Sequence, residues 1–354
     1  MDECELVKKS DGTMLTLRFL NNLIIGLMLV VLTGCAVTQP QVVPHDVLHL
    51  VDEEFQRDYY IYLPTSYGKR PLPLVITCHG TNPWDSARLQ INEWKYLAEK
   101  YNFVVIAPYV SSARGVIPPT ASEGIPILRK DEEFILKITK GFLNNPNIDE
   151  RAIMITSWSA GGFPMYYTGL RHPDIFRVIA ARQANFIREY YIPDIPRFDS
   201  YQPILIFYGE NDLPLLKADS KVAYNFLSKA GQKNLYKMSM NVGHTRHPEV
   251  ALKFFLEAIR MYPRPKIMSA RLRPDGQCQI RFDSGLVNPP DNEKVFWDFG
   301  DGDSGVGRVV NHVYRSEGKY ELAVMHSYRD KTIRFVGQVE VRAGSLSVIS
   351  GETK

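Results

Sequence analysis

Apolar positions change their spacing twice along the chain, which divides it into three textures. Residues 23–33 (LIIGLMLVVLT) form an apolar run with Arg18 before it. The run is too short to span a bilayer and has the form of a signal-peptide core. From about 55 to 262, short β-branched and aromatic runs alternate with amphipathic segments. Strands are predicted at 58–63, 74–78, 103–107, 152–156, 177–181, 203–208 and 235–240. Between them one helix carries Trp94, Leu97, Ala98 and Tyr101 on one face. A second is opened by Asp131, Glu132 and Glu133, acids suited to a helix N-terminus, and buries Phe134, Ile135, Ile138 and Phe142. Others follow residue 160, cover 219–230 and start at Pro248, the last burying Ala251, Leu252, Phe255, Ala258, Ile259 and Tyr262. This alternation predicts an α/β domain with a doubly wound, mainly parallel sheet covered on both faces.

Pro263-Arg264-Pro265 breaks the last helix. Beyond it the period shortens to two. The segments 267–272, 277–283, 294–299, 307–314, 319–328 and 332–342 alternate apolar with polar between Gly and Asp turns, as in a small all-β sandwich. The resulting division is a leader at 1–35, a tether at 36–54, an α/β domain at 55–262, a β-sandwich at 264–343 and a tail at 344–354.

Composition removes several classes. At 354 residues, 45% hydrophobic and 23% charged, the chain is neither disordered nor a disulfide-dense scaffold. Only one stretch is apolar enough to enter a bilayer. A net charge of +3 with mixed signs gives no support to a nucleic-acid partner. Cys4, Cys35, Cys78 and Cys278 show no metal-ligand spacing, so neither metal nor cofactor is expected.

The apolar leader ends in Leu32-Thr33-Gly34-Cys35. This resembles a bacterial lipobox, which implies a mature chain beginning at a lipidated Cys35. The resemblance places the protein in the cell envelope, facing outside the cytoplasm on the outer membrane or cell surface. A short membrane anchor with an incidental cysteine stays open. So does a start at Met14, whose MLTLRFLNN makes a better leader than the polar residues before it.

Candidate chemistry sits between a strand and a helix. Ser157-Trp158-Ser159-Ala160-Gly161 follows AIMIT and precedes Pro164. A G-x-S-x-G turn in that context is a nucleophile elbow, in which the central serine is held strained above the sheet edge. Here Ser157 replaces the first glycine. The pentapeptide alone is weak, since a Ser/Gly-rich turn is also an ordinary structural feature. A serine needs a histidine to take its proton and a carboxylate to orient that histidine. Asp212 follows PILIFY and His244 follows LYKMSM, so both fall past strand ends in the required order. Glu210 competes with Asp212, whose bland alternative is a turn or cap. His247, against Pro248, reads as a helix cap. Amides for a developing oxyanion would come from Ala160 and from Thr81, in the turn His79-Gly80-Thr81. There Gly80 supplies conformational freedom and His79 braces the loop.

Residues 55–262 resemble α/β-hydrolases of the secreted esterase group that includes polyhydroxybutyrate depolymerases and feruloyl esterases. The segments RDYYIYLP, PLVITCHGT, ITSWSAGGFPMYY, RHPDIF and VGHTRHPE carry the likeness. It implies ester hydrolysis and makes His172, in RHPDIF, structural. The disulfides frequent in that group are absent. Cys78 reads as a small buried hydrophobe. WDFGDG at 297–302, HVY at 312–314 and GKY at 318–320 resemble a PKD repeat, which implies spacing or contact with a polysaccharide or cell surface. Asp298, Asp301 and Asp303 suggest calcium, but turns held by Asx hydrogen bonds are the preferred reading.

Trp84, Tyr109, Trp158, Phe163, Tyr166 and Tyr167 surround the elbow in sequence, some of them as core. Trp158 and Trp84 are the candidates for substrate contact. The expected substrate is an ester, including esters on polymeric alcohols, with the acyl group unspecified. A serine peptidase of the prolyl-oligopeptidase kind and a non-catalytic surface-binding lipoprotein are the alternatives.

Overall fold

The computed structural model describes residues 46–113, 119–191, 199–273, 277–290, 293–342 and 345–349. The leader, Cys35 and Met14 lie outside the described residues. The α/β body is built in the order β1 (Leu48–Asp52), β2 (Arg57–Tyr62), β3 (Leu72–Cys78), α1 (Ala87–Tyr101), β4 (Val104–Pro108), α2 (Ala121–Lys140), β5 (Ile148–Trp158), α3 (Gly162–Arg171), β6 (Val178–Arg182), β7 (Ile204–Gly209), α4 (Pro214–Lys229), β8 (Leu235–Met240) and α5 (Pro248–Met261). The strands form one eight-stranded sheet in the order β1-β2-β4-β3-β5-β6-β7-β8. Every pairing from β4 to β8 is parallel, and β1 and β2 are antiparallel additions at one edge.

Central strands are buried on both faces, which explains runs such as VVIAP with no polar alternation. On one face Ile76, Ile106 and Ile155 pack with Phe134 and Ile135 of α2, Met165 and Tyr166 of α3, and Leu227 of α4. On the other, Val75, Val105 and Met154 meet Ile91 and Trp94 of α1 and Leu252 and Phe255 of α5. The expected doubly wound sheet is therefore present. Its parallel strands all end at one edge, where ligands of open α/β sheets bind.

Three element assignments need correction. Within residues 36–54, expected as a tether, Leu48–Asp52 is the strand β1, paired with β2. It is an exposed edge strand, so no core-facing alternation marks it. Helix α2 begins at Ala121, ten residues before the acids expected to open it. Thr120 and Glu123 form a capping box there, and Pro126 lies within the first two turns. Asp131 and Glu132 are buried instead. Asp131 accepts from Arg57 and from the Ser111 and Ser112 amides, and Glu132 from Arg171. The third correction concerns 344–354, read as a tail, where Ser345–Ile349 pairs with a neighbouring strand.

The β-module comprises β9 (Lys266–Leu272), β10 (Cys278–Asp283), β11 (Val295–Asp298), β12 (Ser304–Val306), β13 (Val309–Tyr314), β14 (Gly318–Tyr328), β15 (Lys331–Arg342) and β16 (Ser345–Ile349). Sheets β13-β10-β9 and β12-β11-β14-β15-β16 enclose Phe282, Trp297, Phe299, Tyr314, Val324 and Phe335. Asp298 and Asp301 accept from the Gly300 and Asp303 amides, the Asx turns expected. His312 stacks on Phe299 with centroids 3.9 Å apart and reaches Asp301 at 2.8 Å. Carboxylate oxygens of Asp301 and Asp303 and a His312 nitrogen lie within 4.8 Å of one another.

The module is tied into the α/β body. Val287 packs in the core beneath α1 and α5. Arg177, buried at the start of β6, donates to the carbonyls of Arg151 (3.0 Å), Ile259 (3.4 Å), Tyr262 and Gly285. Burial, and next Arg264, hold its proton affinity below the ordinary arginine range. Four carbonyl dipoles oppose that cost. Arg264 pairs with buried Asp199 at 3.1 Å, and the Val287 amide donates to Ile259 at 2.9 Å.

Candidate active site

Ser159 stands where β5 becomes a tight 3₁₀ turn, Ser159–Gly161, that runs on into α3. Its φ of 53° lies in the left-handed region, a conformation that costs an L-residue about 1–2 kcal/mol. Strain of this kind is maintained by its surroundings, and here they are tight. A Cβ at Gly161 would lie 2.5 Å from the carbonyl oxygens of both Cys78 and His79. At Ser157, where the pattern expects glycine, the hydroxyl is buried and lies 3.1 Å from Met165 Sδ. One β-carbon and a small hydroxyl are accommodated, so the departure leaves the elbow intact.

The neighbouring turn after β3 is fixed by polar contacts. Gly80 donates its amide to Asp85 at 2.7 Å, and Thr81 accepts from the Asp85 amide at 3.0 Å. The conformational freedom expected of Gly80 is not drawn on, since its φ lies outside the left-handed region. It is required for space, since its Cβ would come within 3.1 Å of Ser159 Cβ and 3.0 Å of the Trp158 ring. His79 is buried. Its Nε2 accepts from the Val110 amide at 3.0 Å and its Nδ1 lies 2.7 Å from Gly80 O. That pattern sets a neutral ring with the proton on Nδ1, a brace between the loops after β3 and β4.

Asp212 and His244 come together although 32 positions separate them in the sequence. His244 Nδ1 lies 3.0 Å from Asp212 Oδ1, and the Asp212 side chain is fully buried. The same oxygen accepts from the Leu213 amide at 2.7 Å. Glu210 is exposed and receives the Ser239 hydroxyl, so it holds a different position. His247 caps α5, with its ring against Glu249 at 2.9 Å and Thr245 at 2.8 Å. His172 lies 2.8 Å from Glu132. Burial pushes the Cys78 thiol far above its usual range, which keeps it protonated.

Ser159, His244, Ala160 and Thr81 line one cleft of about 330 Å³ with Trp84, Trp158, Phe163, Asn185, Leu213, Leu215 and Leu216. Histidine is the one titratable side chain among these liners. The two tryptophans differ. Trp84 is 65% exposed at the rim, whereas Trp158 is 7% exposed. The Trp158 indole stacks on the His244 ring at 4.5 Å and 21°, and Arg246 lies 4.5 Å over the same indole. Trp158 therefore supports the histidine as well as facing the cleft. Tyr166 and Tyr167 are buried core, and Tyr109 lies against His79.

Several residues that shape this edge carried no motif. Leu213, Leu215 and Leu216 follow Asp212 directly, an apolar cluster in a predicted loop that could have marked the cleft wall. Arg246 joins the histidine loop to the turn after β3, bonding Asp85 at 3.1 Å and the Trp84 carbonyl at 3.1 Å. Glu93, between Arg182 and Arg246, has its carboxyl raised by burial against both cations. Gln183, the residue after β6, is fully buried beside the histidine loop. Only its place at a strand's C-terminal end could have signalled it.

Residues 262–332 match the family model described as PKD domain. No curated protein matches the chain. Among solved structures, a ferulic acid esterase aligns at 15% identity with a TM-score of 0.45, covering 59% of this chain and 94% of that one. A ferulic acid esterase of the anaerobic fungus Anaeromyces mucronatus aligns at 16% and 0.45, covering 61% and 91%. A fluorophosphonate-binding serine hydrolase of Staphylococcus aureus aligns at 15% and 0.45, covering 60% and 97%.

Proposed function

We propose that this chain is a serine hydrolase that cleaves carboxylic esters through an acyl-enzyme on Ser159. One observation carries the reading. A serine held at φ 53° shares a cleft with a histidine whose Nδ1 is 3.0 Å from a buried aspartate. In the proposed reaction Asp212 keeps the proton on His244 Nδ1, leaving Nε2 as base. Nε2 takes the Ser159 proton as the hydroxyl oxygen attacks the ester carbonyl. The amides of Ala160 and Thr81 receive the oxyanion. Collapse expels the alcohol, which takes the proton back from His244. Water, activated by the same ring, then releases the acid and frees the serine.

The lining favours an uncharged acyl group. Trp84, Phe163, Leu213, Leu215 and Leu216 supply apolar wall, and among the described residues no acidic side chain lines the cleft to receive a peptide amine. This supports an esterase over an aminopeptidase of the same architecture. We further propose that Cys35 carries lipid and anchors the enzyme in the envelope, and that the β-module contacts a polymer or cell surface. The support for these is the leader sequence and the PKD match.

A fluorophosphonate probe tests the nucleophile. Labelling is expected on Ser159 and is lost in Ser159→Ala; a wild-type protein that stays unlabelled refutes the reading and favours a binding role. Acetyl, feruloyl and hydroxybutyryl esters assayed beside peptide amides then define the acyl group. Cys35→Ser should release the protein from membranes, and an unlipidated, soluble wild type would refute the anchor.

A further inference from the structure

We infer that Gln183 is the positioning residue of the base loop, and that its carboxamide sets where His244 stands. The inference rests on His244 being the base of the proposed reaction. His244 lies between β8 and α5, where no strand pairing or helix holds the backbone. Gln183 supplies what the loop lacks. Its Nε2 donates to the Gly243 carbonyl and its Oε1 accepts from the Thr245 amide at 2.8 Å. Those groups are the carbonyl before His244 and the amide after it. One planar side chain, with one donor edge and one acceptor edge, therefore grips the backbone on both sides of the imidazole, as a neighbouring strand would.

The clamp is itself fixed. Gln183 has φ 49°, a left-handed conformation that turns the chain out of β6, and its own amide donates to Phe207 of β7 at 2.7 Å. The side chain is buried in a slot that opens because residue 209 is glycine. A Cβ there would come within 2.6 Å of Gln183 Nε2. The acceptor Oε1 also lies 3.5 Å from Trp158 Nε1, and that indole stacks on the His244 ring. Backbone and ring of the histidine are thus referred to a single carboxamide.

The chemistry explains why the position takes glutamine. Glutamate would place a second acceptor against the Gly243 carbonyl, leucine would fill the slot without bonding, and asparagine is one methylene short. Removing the clamp lets His244 drift by a fraction of an ångström to an ångström, and misplacement on that scale costs about 10²-fold in rate. Gln183 is not among the cleft liners, so its loss removes no direct contact to a bound substrate.

Gln183→Ala and Gln183→Glu, each checked for folding by circular dichroism, test this with p-nitrophenyl acetate and a fluorophosphonate probe. For Gln183→Ala, kcat and the labelling rate are expected to fall together by about 10- to 100-fold with KM changed by less than about twofold. Gln183→Glu gives a sharper signature. Ionised, it repels the Gly243 carbonyl; protonated, it offers one donor and one acceptor as glutamine does. Its kcat relative to wild type should therefore rise as pH is lowered, which a loss of stability alone does not produce. If Gln183→Ala fails to fold, the near-isosteric glutamate variant decides by this ratio. A folded alanine variant with wild-type kcat and labelling rate overturns the inference, and so does a ratio independent of pH. Either result with normal wild-type labelling leaves the nucleophile reading standing. A wild type that is not labelled at Ser159 removes both.

Discussion

Gly161→Ala isolates the packing that makes the elbow. Added there, a methyl group meets two backbone oxygens, Cys78 O and His79 O, each 2.5 Å away, and the Cys78 carbonyl carbon at 2.8 Å. Ordinary contact begins near 3.4 Å, so α3 and the end of β3 must separate by about 0.9 Å. Neither obstacle is the tip of a flexible side chain. Backbone conformation is not an obstacle, because Gly161 has φ −59°, where alanine is at ease and gains up to ~1 kcal/mol over glycine in a helix. Overpacking costs ~1–3 kcal/mol. The net loss of stability should therefore be small, roughly 0–2 kcal/mol, and the variant should fold.

Its chemistry should suffer far more. The strand end that must move leads into His79-Gly80-Thr81, and the helix start that must move carries Ser159 and Ala160. A displacement near 1 Å costs about 10²-fold, and loss of one oxyanion donor 10²–10³-fold, or ~3–4 kcal/mol. Steady-state hydrolysis of a small ester, beside urea melts, separates the two effects. Gly68→Ala serves as the control, since Gly68 has φ +87° and open space around it. It should lose ~1–2 kcal/mol of stability and no activity. A folded Gly161→Ala enzyme with kcat within about threefold of wild type would refute the reasoning.

His244→Ala and Asp212→Asn should each lower kcat by on the order of 10⁴, His244→Ala matching Ser159→Ala, while His247→Ala, whose ring is committed to Glu249 and Thr245, stays within a few-fold; a reversal of the two histidines in steady-state kinetics sinks the assignment. Arg177→Met strips donors from buried carbonyls of Arg151, Tyr262 and Gly285 and should cost roughly 3 kcal/mol in urea melts, with a loss under about 1 kcal/mol counting against it. Ending the chain at Tyr262 removes the Gly285 acceptor and the Val287 core contact, so stability should drop while the folded fraction keeps its kcat on a soluble ester. Burial holds the Asp219 carboxyl above its ordinary value of 3.8, against hydrogen bonds from Asn185 and the Phe186 amide. A raised carboxyl keeps a proton in the fold that the unfolded chain has released, so its contribution to stability falls as pH climbs from 3.8 through the folded value. Asp219→Asn should flatten that part of the stability–pH curve, and an unchanged slope in urea midpoints as pH is raised from 3.8 would contradict the assignment.

What the sequence made legible follows the physics of burial. Strand β4 is buried throughout, as is Ala152–Trp158 of β5, and β3 and β7 are buried at all but one position each, so their apolar runs stand out from the surrounding chain. Ser159 and Asp212 were readable because each follows such a strand; His244 follows the largely exposed β8 and was readable from its place in order after them. Strands β1 and β12 gave no such signal: β1 is exposed on both faces, and β12 has three residues. Helix α2 was misplaced because its first two turns contain Gly124 and Pro126, residues that argue against a helix, and because its acids were credited to a dipole rather than to partners distant in sequence. Gln183 stayed hidden for a related reason. Its partners are 60 and 62 residues away, and no local spacing encodes a contact at that separation.

The Arg177 junction also determines the kind of tether the β-module can be. A module on a loose linker delivers its enzyme over a wide sphere, and the local concentration of cleavable bonds thins with the volume swept. Here the guanidinium, the Arg264–Asp199 pair and the shared Val287 contact leave no sphere to sweep. If the module contacts a surface as proposed, whatever it grips would meet the catalytic edge from one bearing. Under that proposal adhesion would act as a ruler: bonds at the matching offset along a surface would be cut repeatedly, while bonds nearer or farther would wait until the enzyme let go.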